Sequence, residues 1–120
     1  MKTVFLCTPH KLGDFNHELI DRIKKLGFEV LCAATHSPQD VPFDKMFETN
    51  VKLIRDADIF VAVLKDYGKD LTAEVGMAYA WDMPRIGVDY NALKDDVMCY
   101  YAFDKIIKPE ELEQELLKII

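Results

Sequence analysis

The unbroken apolar run Ile59-Phe60-Val61-Ala62-Val63-Leu64 constrains this chain more than any other segment. It has the length and β-branched content of a buried strand. A polar loop, Asp66-Tyr67-Gly68-Lys69-Asp70, follows it, and residues 71–81 then read as a helix with no interior proline. The small residues Ala73, Gly76, Ala78 and Ala80 suit a helix backbone lying close against a sheet. Strand, loop and helix in that order put Glu74, expected in the first helical turn, at the carboxyl edge of the sheet. Ligands of open α/β sheets bind at that edge.

The same alternation runs through the rest of the chain. Residues 3–8 read as a first strand, followed by the loop Pro9-His10-Lys11-Leu12-Gly13. Asp14 is placed to act as a helix N-cap, its carboxylate accepting from first-turn amides. Phe15, Leu19, Ile20, Ile23 and Leu26 share one helical face, and Gly27 supplies the stop. Residues 28–34 read as a second strand and 36–42 as a proline-containing loop. Phe43, Met46, Phe47, Val51 and Ile54 form the stripe of a helix ending near Asp56. After the Glu74 helix come a strand at 85–88, a helical stretch at 91–102 and a short strand at 104–107. A last helix is opened by Pro109 and balanced by Glu110, Glu111 and Lys118. Strands separated by single helices imply right-handed crossovers and a parallel sheet covered on both faces. The expected architecture is therefore α/β: a five-stranded, doubly wound, flavodoxin-like sheet in three α/β/α layers, in one domain spanning residues 1–120.

Charge narrows the partners. With 15 Lys and Arg against 21 Asp and Glu, the net charge of −6 argues against nucleic-acid polymers and anionic membranes, which need clustered cations. The opening apolar run is too short for a signal peptide or membrane span. Cys7, Cys32 and Cys99 form no metal or redox motif and read as reduced core thiols of a cytoplasmic protein. His17 and His36 have no partners at metal-ligand spacing and read as structural. No metal and no cofactor is expected.

The chemistry rests on Glu74. Free amides and the helix dipole in a first turn favour an anion by about 0.3–1 kcal/mol, which predicts an ionised carboxylate. Carboxylates serve as nucleophiles where the reaction centre becomes cationic, above all at the anomeric carbon of a sugar. The plain alternative is a helix-favouring surface glutamate.

Four groups of residues occur in order over residues 3–90. They are Val4-Phe5-Leu6-Cys7-Thr8-Pro9; Phe15-Asn16 leading to Leu26-Gly27-Phe28-Glu29-Val30; and Phe47-Glu48-Thr49-Asn50-Val51 with Ile54-Arg55-Asp56-Ala57-Asp58. The last is Thr72-Ala73-Glu74-Val75-Gly76-Met77-Ala78 with Pro84-Arg85-Ile86-Gly87. Together they resemble the nucleoside 2-deoxyribosyltransferase family and the related nucleoside 5′-monophosphate N-glycosidases. The resemblance implies that Glu74 attacks C1′ of a nucleoside or nucleotide, releasing the base and leaving a glycosyl-enzyme. A second base (transfer) or water (hydrolysis) then takes the sugar. It also implies a homo-oligomer in which neighbouring subunits complete the pocket.

Three positions depart from that pattern. Phe5 stands where the family's opening strand carries a tyrosine that holds the glutamate. Asn50 stands where an aspartate handles the base; it can hydrogen-bond but is neither a strong proton acceptor nor a strong donor. Gly68 stands where the loop offers an acid or serine, with Asp66 and Asp70 as nearby substitutes. These changes point to altered substrate choice, weakened activity, or a nucleotide-binding module without chemistry. The candidate substrate-binding set is Phe5, Thr8, His10, Asn50, Asp66, Gly68 and Asp70, around Glu74 as nucleophile. For His10 and Lys11, a solvated loop is the alternative to contact with a 5′ group. Asp58 reads as a turn acid at the far end of the sheet. Asp89 and Tyr90 read as a turn that could also reach a substrate, and Tyr100, Tyr101 and Phe103 as core or subunit contact. Deoxyribosyl transfer is placed ahead of nucleotide hydrolysis because phosphate-binding serines are lacking.

Other doubly wound families fit less well. Thr8-Pro9-His10-Lys11-Leu12-Gly13 lacks the Ser/Thr-Gly loop that wraps a flavin phosphate, and no G-x-G-x-x-G loop is present. A receiver domain needs paired acids after its first strand, and here there are none, although Asp66 lies near the end of the third.

Overall fold

A computed structural model describes residues 1–119. Its strands are β1 (Thr3–Cys7), β2 (Glu29–Leu31), β3 (Ile59–Leu64), β4 (Arg85–Asp89) and β5 (Lys105–Ile107). They form one parallel five-stranded sheet in the order β2-β1-β3-β4-β5. The helices are α1 (Asp14–Lys24), α2 (Ala33–His36), α3 (Phe43–Asp56), α4 (Lys69–Ala80), α5 (Val97–Tyr100) and α6 (Leu112–Leu117). This is the expected flavodoxin-like, doubly wound α/β fold. The chain winds outward from β1 to β2 and then returns past β1 to β3, so the winding reverses between β1 and β3.

Strand alternation divides the core in two. Val4, Leu6, Val61, Val63, Ile86 and Val88 point to one face, where Leu19, Ile20 and Ile23 of α1 and Leu112 and Leu116 of α6 cover them. Phe5, Cys7, Phe60, Ala62 and Leu64 point to the other, against Ile54 of α3 and Leu71, Val75 and Ala78 of α4. All six residues of β3 are buried, as its composition requires of a central strand covered on both sides. On the α4 side Phe5 stacks on Phe60, their ring centroids 5.8 Å apart.

Several local expectations are corrected. Asp14 opens α1 but does not cap it. The N-cap is Gly13, whose φ of 57° suits a residue without a side chain. The second strand is only Glu29–Leu31, and Ala33–His36 is helical. There Thr35 Oγ1 donates to the Cys32 carbonyl at 3.2 Å, and the Cys32 amide donates to His36 Nδ1 at 3.2 Å, closing the chain into a turn. Only Val97–Tyr100 of the stretch 91–102 forms a helix. The Ala92 amide donates instead to Asp89 Oδ1 at 2.9 Å, and the Leu93 amide to the Tyr67 hydroxyl at 3.0 Å. Such side-chain partners compete with a helical ladder.

The small residues of α4 also face the wrong way for the role expected of them. Ala73, Gly76 and Ala80 are exposed, and of that set only Ala78 packs on the sheet. In α3 only Ile54 of the apolar stripe is fully buried, whereas Phe43 is 86% and Phe47 58% exposed. The three cysteines are free and buried. Among the described residues no helix is long and apolar enough to cross a membrane.

Candidate functional site

A cleft of about 540 Å³ opens at the carboxyl ends of β1 and β3, where the winding reverses. Its size lies within the range of small-molecule sites, and its place is the one that doubly wound sheets use for ligands. The topology makes it: the segments leaving β1 and β3 part to opposite sides and leave a gap between them.

Glu74 lines this cleft. It sits in the second turn of α4 rather than the first, because the helix begins at Lys69, earlier than expected. The helix-terminus argument for a readily ionised carboxylate therefore does not apply. Burial raises the Glu74 carboxyl from an ordinary 4.5 to about 6. A hydrogen bond from the Cys7 thiol opposes that rise, and the negative charge of Asp70, one helical turn earlier, adds to it. The thiol Sγ donates to Glu74 Oε1 at 3.3 Å. Oε2 takes no hydrogen bond among the described residues.

All the sequence-derived candidates lie around this cavity. Phe5, Thr8, His10, Asn50, Asp66, Gly68 and Asp70 contribute to its lining. Phe5 is wholly buried and offers only a ring, already stacked on Phe60. Thr8 donates its hydroxyl to Asn16 Oδ1 at 2.7 Å, and Asn16 Nδ2 donates to the Pro9 carbonyl at 3.0 Å, so Thr8 first of all shapes the loop after β1. His10 begins a short 3-10 turn and is exposed. Gly68 stands at the N-terminus of α4 without a side-chain cap.

Asp66 occupies left-handed backbone, φ 47°, rare for a residue with a side chain. Two hydrogen bonds hold it there. Its amide donates to Asn91 Oδ1 at 3.0 Å, and Asn91 Nδ2 donates to Asp66 Oδ1 at 2.7 Å. Asn50 reaches the cleft from α3, and its Oδ1 is buried with no hydrogen-bond partner among the described residues. An unpaired buried acceptor costs about 1–3 kcal/mol, which a ligand donor would relieve.

Outside the cleft, Asp58 accepts from the Thr3 amide at 2.8 Å at the opposite end of the sheet, as expected of a turn acid. Tyr90 packs edge-on against Phe15, with ring centroids 5.1 Å apart. Among the described residues no three His, Cys, Asp or Glu side chains gather as metal ligands.

Sequence reasoning missed Cys7 as a site residue, along with Gln39 and Lys69, which also line the cleft. The signal for Cys7 was available. It follows Phe5 by two positions on one strand and so points to the same face. Gln39 had no such signal, because a loop residue carries no periodicity.

No protein-family model and no curated protein matches the chain. Solved structures do. A 2-deoxyribosyltransferase from Bacillus psychrosaccharolyticus superposes with a TM-score of 0.76 at 15% identity, covering 92% of this chain and 90% of its own. A CMP N-glycosidase from Clostridium botulinum gives 0.69 at 20% identity, covering 99% of this chain and 100% of its own. The response regulator TrrA from Thermotoga maritima gives 0.71 at 16% identity over the whole of both chains. The likeness is one of fold. A signalling protein and two nucleoside- or nucleotide-processing enzymes share it, so the side chains in the cleft must decide the chemistry.

Proposed function

We propose that this protein cleaves or transfers the N-glycosidic bond of a nucleoside or deoxynucleoside, with Glu74 as the nucleophile. The observation that carries this reading is the position of Glu74 in the cleft at the β1–β3 switch point, one carboxylate oxygen held by Cys7 and the other open. With its carboxyl at about 6, Glu74 is mostly ionised at neutral pH and remains competent to attack. A bond forms between Oε2 and C1′ as the C1′–N bond breaks. The electron pair leaves with the base, which takes a proton from solvent. A second base or water then attacks C1′, the C1′–Oε2 bond breaks to return the carboxylate, and the proton of the incoming N–H or O–H passes to solvent. The unpaired Oδ1 of Asn50 is an acceptor for an N–H of the base, and its wall of the cleft is where the base rests.

A second reading is hydrolysis of a nucleoside 5′-monophosphate. The ammonium groups of Lys11 and Lys69 and the imidazole of His10 border the cleft and suit a phosphate without any serine. Both readings agree with the two enzymes of similar fold. The reading without chemistry draws on Phe5, which brings no hydroxyl to the glutamate.

Incubation with deoxynucleosides plus a free base, and separately with nucleoside monophosphates, separates the three by chromatography. Base exchange supports transfer, base release supports hydrolysis, and binding without turnover supports the module. Equal product from Glu74→Ala protein would remove Glu74 from the mechanism. We also propose that the chain forms a homo-oligomer through the exposed face of α3, where Phe43, Phe47 and Val51 present apolar surface. Light scattering should give more than one chain mass for the native protein and one for Phe43→Asp/Phe47→Asp.

A further inference from the structure

We infer that Cys7 is the positioning residue for Glu74, fixing the carboxylate that attacks the sugar; this rests on the N-glycosidic reading above. Phe5 and Cys7 lie on the same face of β1, and both belong to the packing cluster beneath α4. Two residues of strand advance about 6.6 Å, so Cys7 stands one step nearer the carboxyl edge and the cleft. Phe5 has no polar atom. The thiol is therefore the group on that face of β1 able to donate to a carboxylate in α4, and it does so at 3.3 Å.

The surroundings fit a thiol that stays a donor. Burial, with the negative charge of Glu74 next, pushes the Cys7 thiol well above its ordinary range, so it keeps its proton and is no nucleophile. Holding Oε1 leaves Oε2 as the attacking oxygen and removes one rotational freedom of the carboxylate. The titratable groups facing Glu74 are Cys7 from β1, Cys32 just beyond β2 and Asp70 from its own helix. Asp66 precedes α4, Lys69 is its first residue, and His10 and Lys11 follow β1; all four line the same cleft.

The test compares wild type with Cys7→Ser, which keeps a donor, and Cys7→Ala, which does not. Two readouts are taken: the titration midpoint of the Glu74 carboxyl by carbon NMR, assigned with Glu74→Gln, and steady-state base release. Cys7→Ala should raise the midpoint by about one pH unit. It should also lower kcat several-fold with KM little changed, since positioning acts in the transition state. Cys7→Ser should restore both. An unchanged midpoint and kcat in Cys7→Ala, with wild type active, would overturn the role of Cys7 and leave Glu74 as nucleophile. A midpoint that moves while wild type releases no base would support the contact and sink the glycosidic reading. If Cys7→Ala shows no cooperative melt, Cys7→Val, which occupies the site without a donor, makes the same comparison.

Discussion

Glu74→Gln should make this protein more stable at pH 8 and scarcely change it at pH 4.5. A carboxyl held at about 6 in the folded chain, against an ordinary 4.5, binds its proton more tightly when folded. Between those values the native state carries a proton that the unfolded state has lost, so stability falls as pH rises. The favourable contribution is complete below about 4.5, is lost as pH passes through 6, and is absent above it. The difference corresponds to about 2 kcal/mol. Glutamine keeps the size and the acceptor for Cys7 but has no charge to desolvate. In a chain of 120 residues, about 2 kcal/mol moves the melting temperature by about 8 °C. Thermal melts of both proteins at the two pH values are the assay, and other titrating groups cancel in the comparison. No gain at pH 8, or the same gain at both, would show that the charge of Glu74 is not costly and that water solvates it in the folded chain. The expected gain comes with loss of activity, as at sites where a destabilised group is retained for chemistry.

Activity itself should run the other way with pH. Base release should rise through an acid limb near 6, where Glu74 loses its proton, and a pH–rate profile of kcat/KM reads it directly. Gly87→Ala should cost about 1–3 kcal/mol, because a Cβ there would lie 3.1 Å from Leu64 Cδ1 and 3.2 Å from the ring of Phe103; urea melts would measure it. Asn91→Ala should cost about 1 kcal/mol and raise KM, since it releases Asp66 from its left-handed position; a wild-type KM would mean that Asp66 does not touch substrate.

The sheet and its two-faced core were legible because they are written in local patterns. The length and β-branched content of residues 59–64 read as a buried strand, and the spacing of Leu19, Ile20 and Ile23 as one helical face, and both formed. The lining of the cleft was legible for a related reason. In a doubly wound sheet the segments leaving β1 and β3 flank the switch point, so residues after those strands and at the start of α4 converge there. What failed was either local competition or orientation. Thr35 and His36 bound Cys32 into the opening turn of α2, and Asp89 and Tyr67 gave the amides of Ala92 and Leu93 partners outside a helix, so β2 and the expected helix at 91–102 came out short. The rotation of α4 placed Val75 and Leu71 on the sheet and left Ala73, Gly76 and Ala80 in solvent, a choice that small residues do not announce.

The sequence by itself determined the architecture and that Glu74 stands at the sheet's carboxyl edge, beside Asp66 and Asp70, because apolar periodicity and chain order fix both. Only the tertiary structure decided the state of that carboxylate. The desolvation that lifts Glu74 to about 6, and the thiol that holds it from a strand 67 positions away, exist only once α4 has docked over β1. Burial and hydrogen-bond partners belong to the surroundings of a residue, and distant parts of the chain supply them.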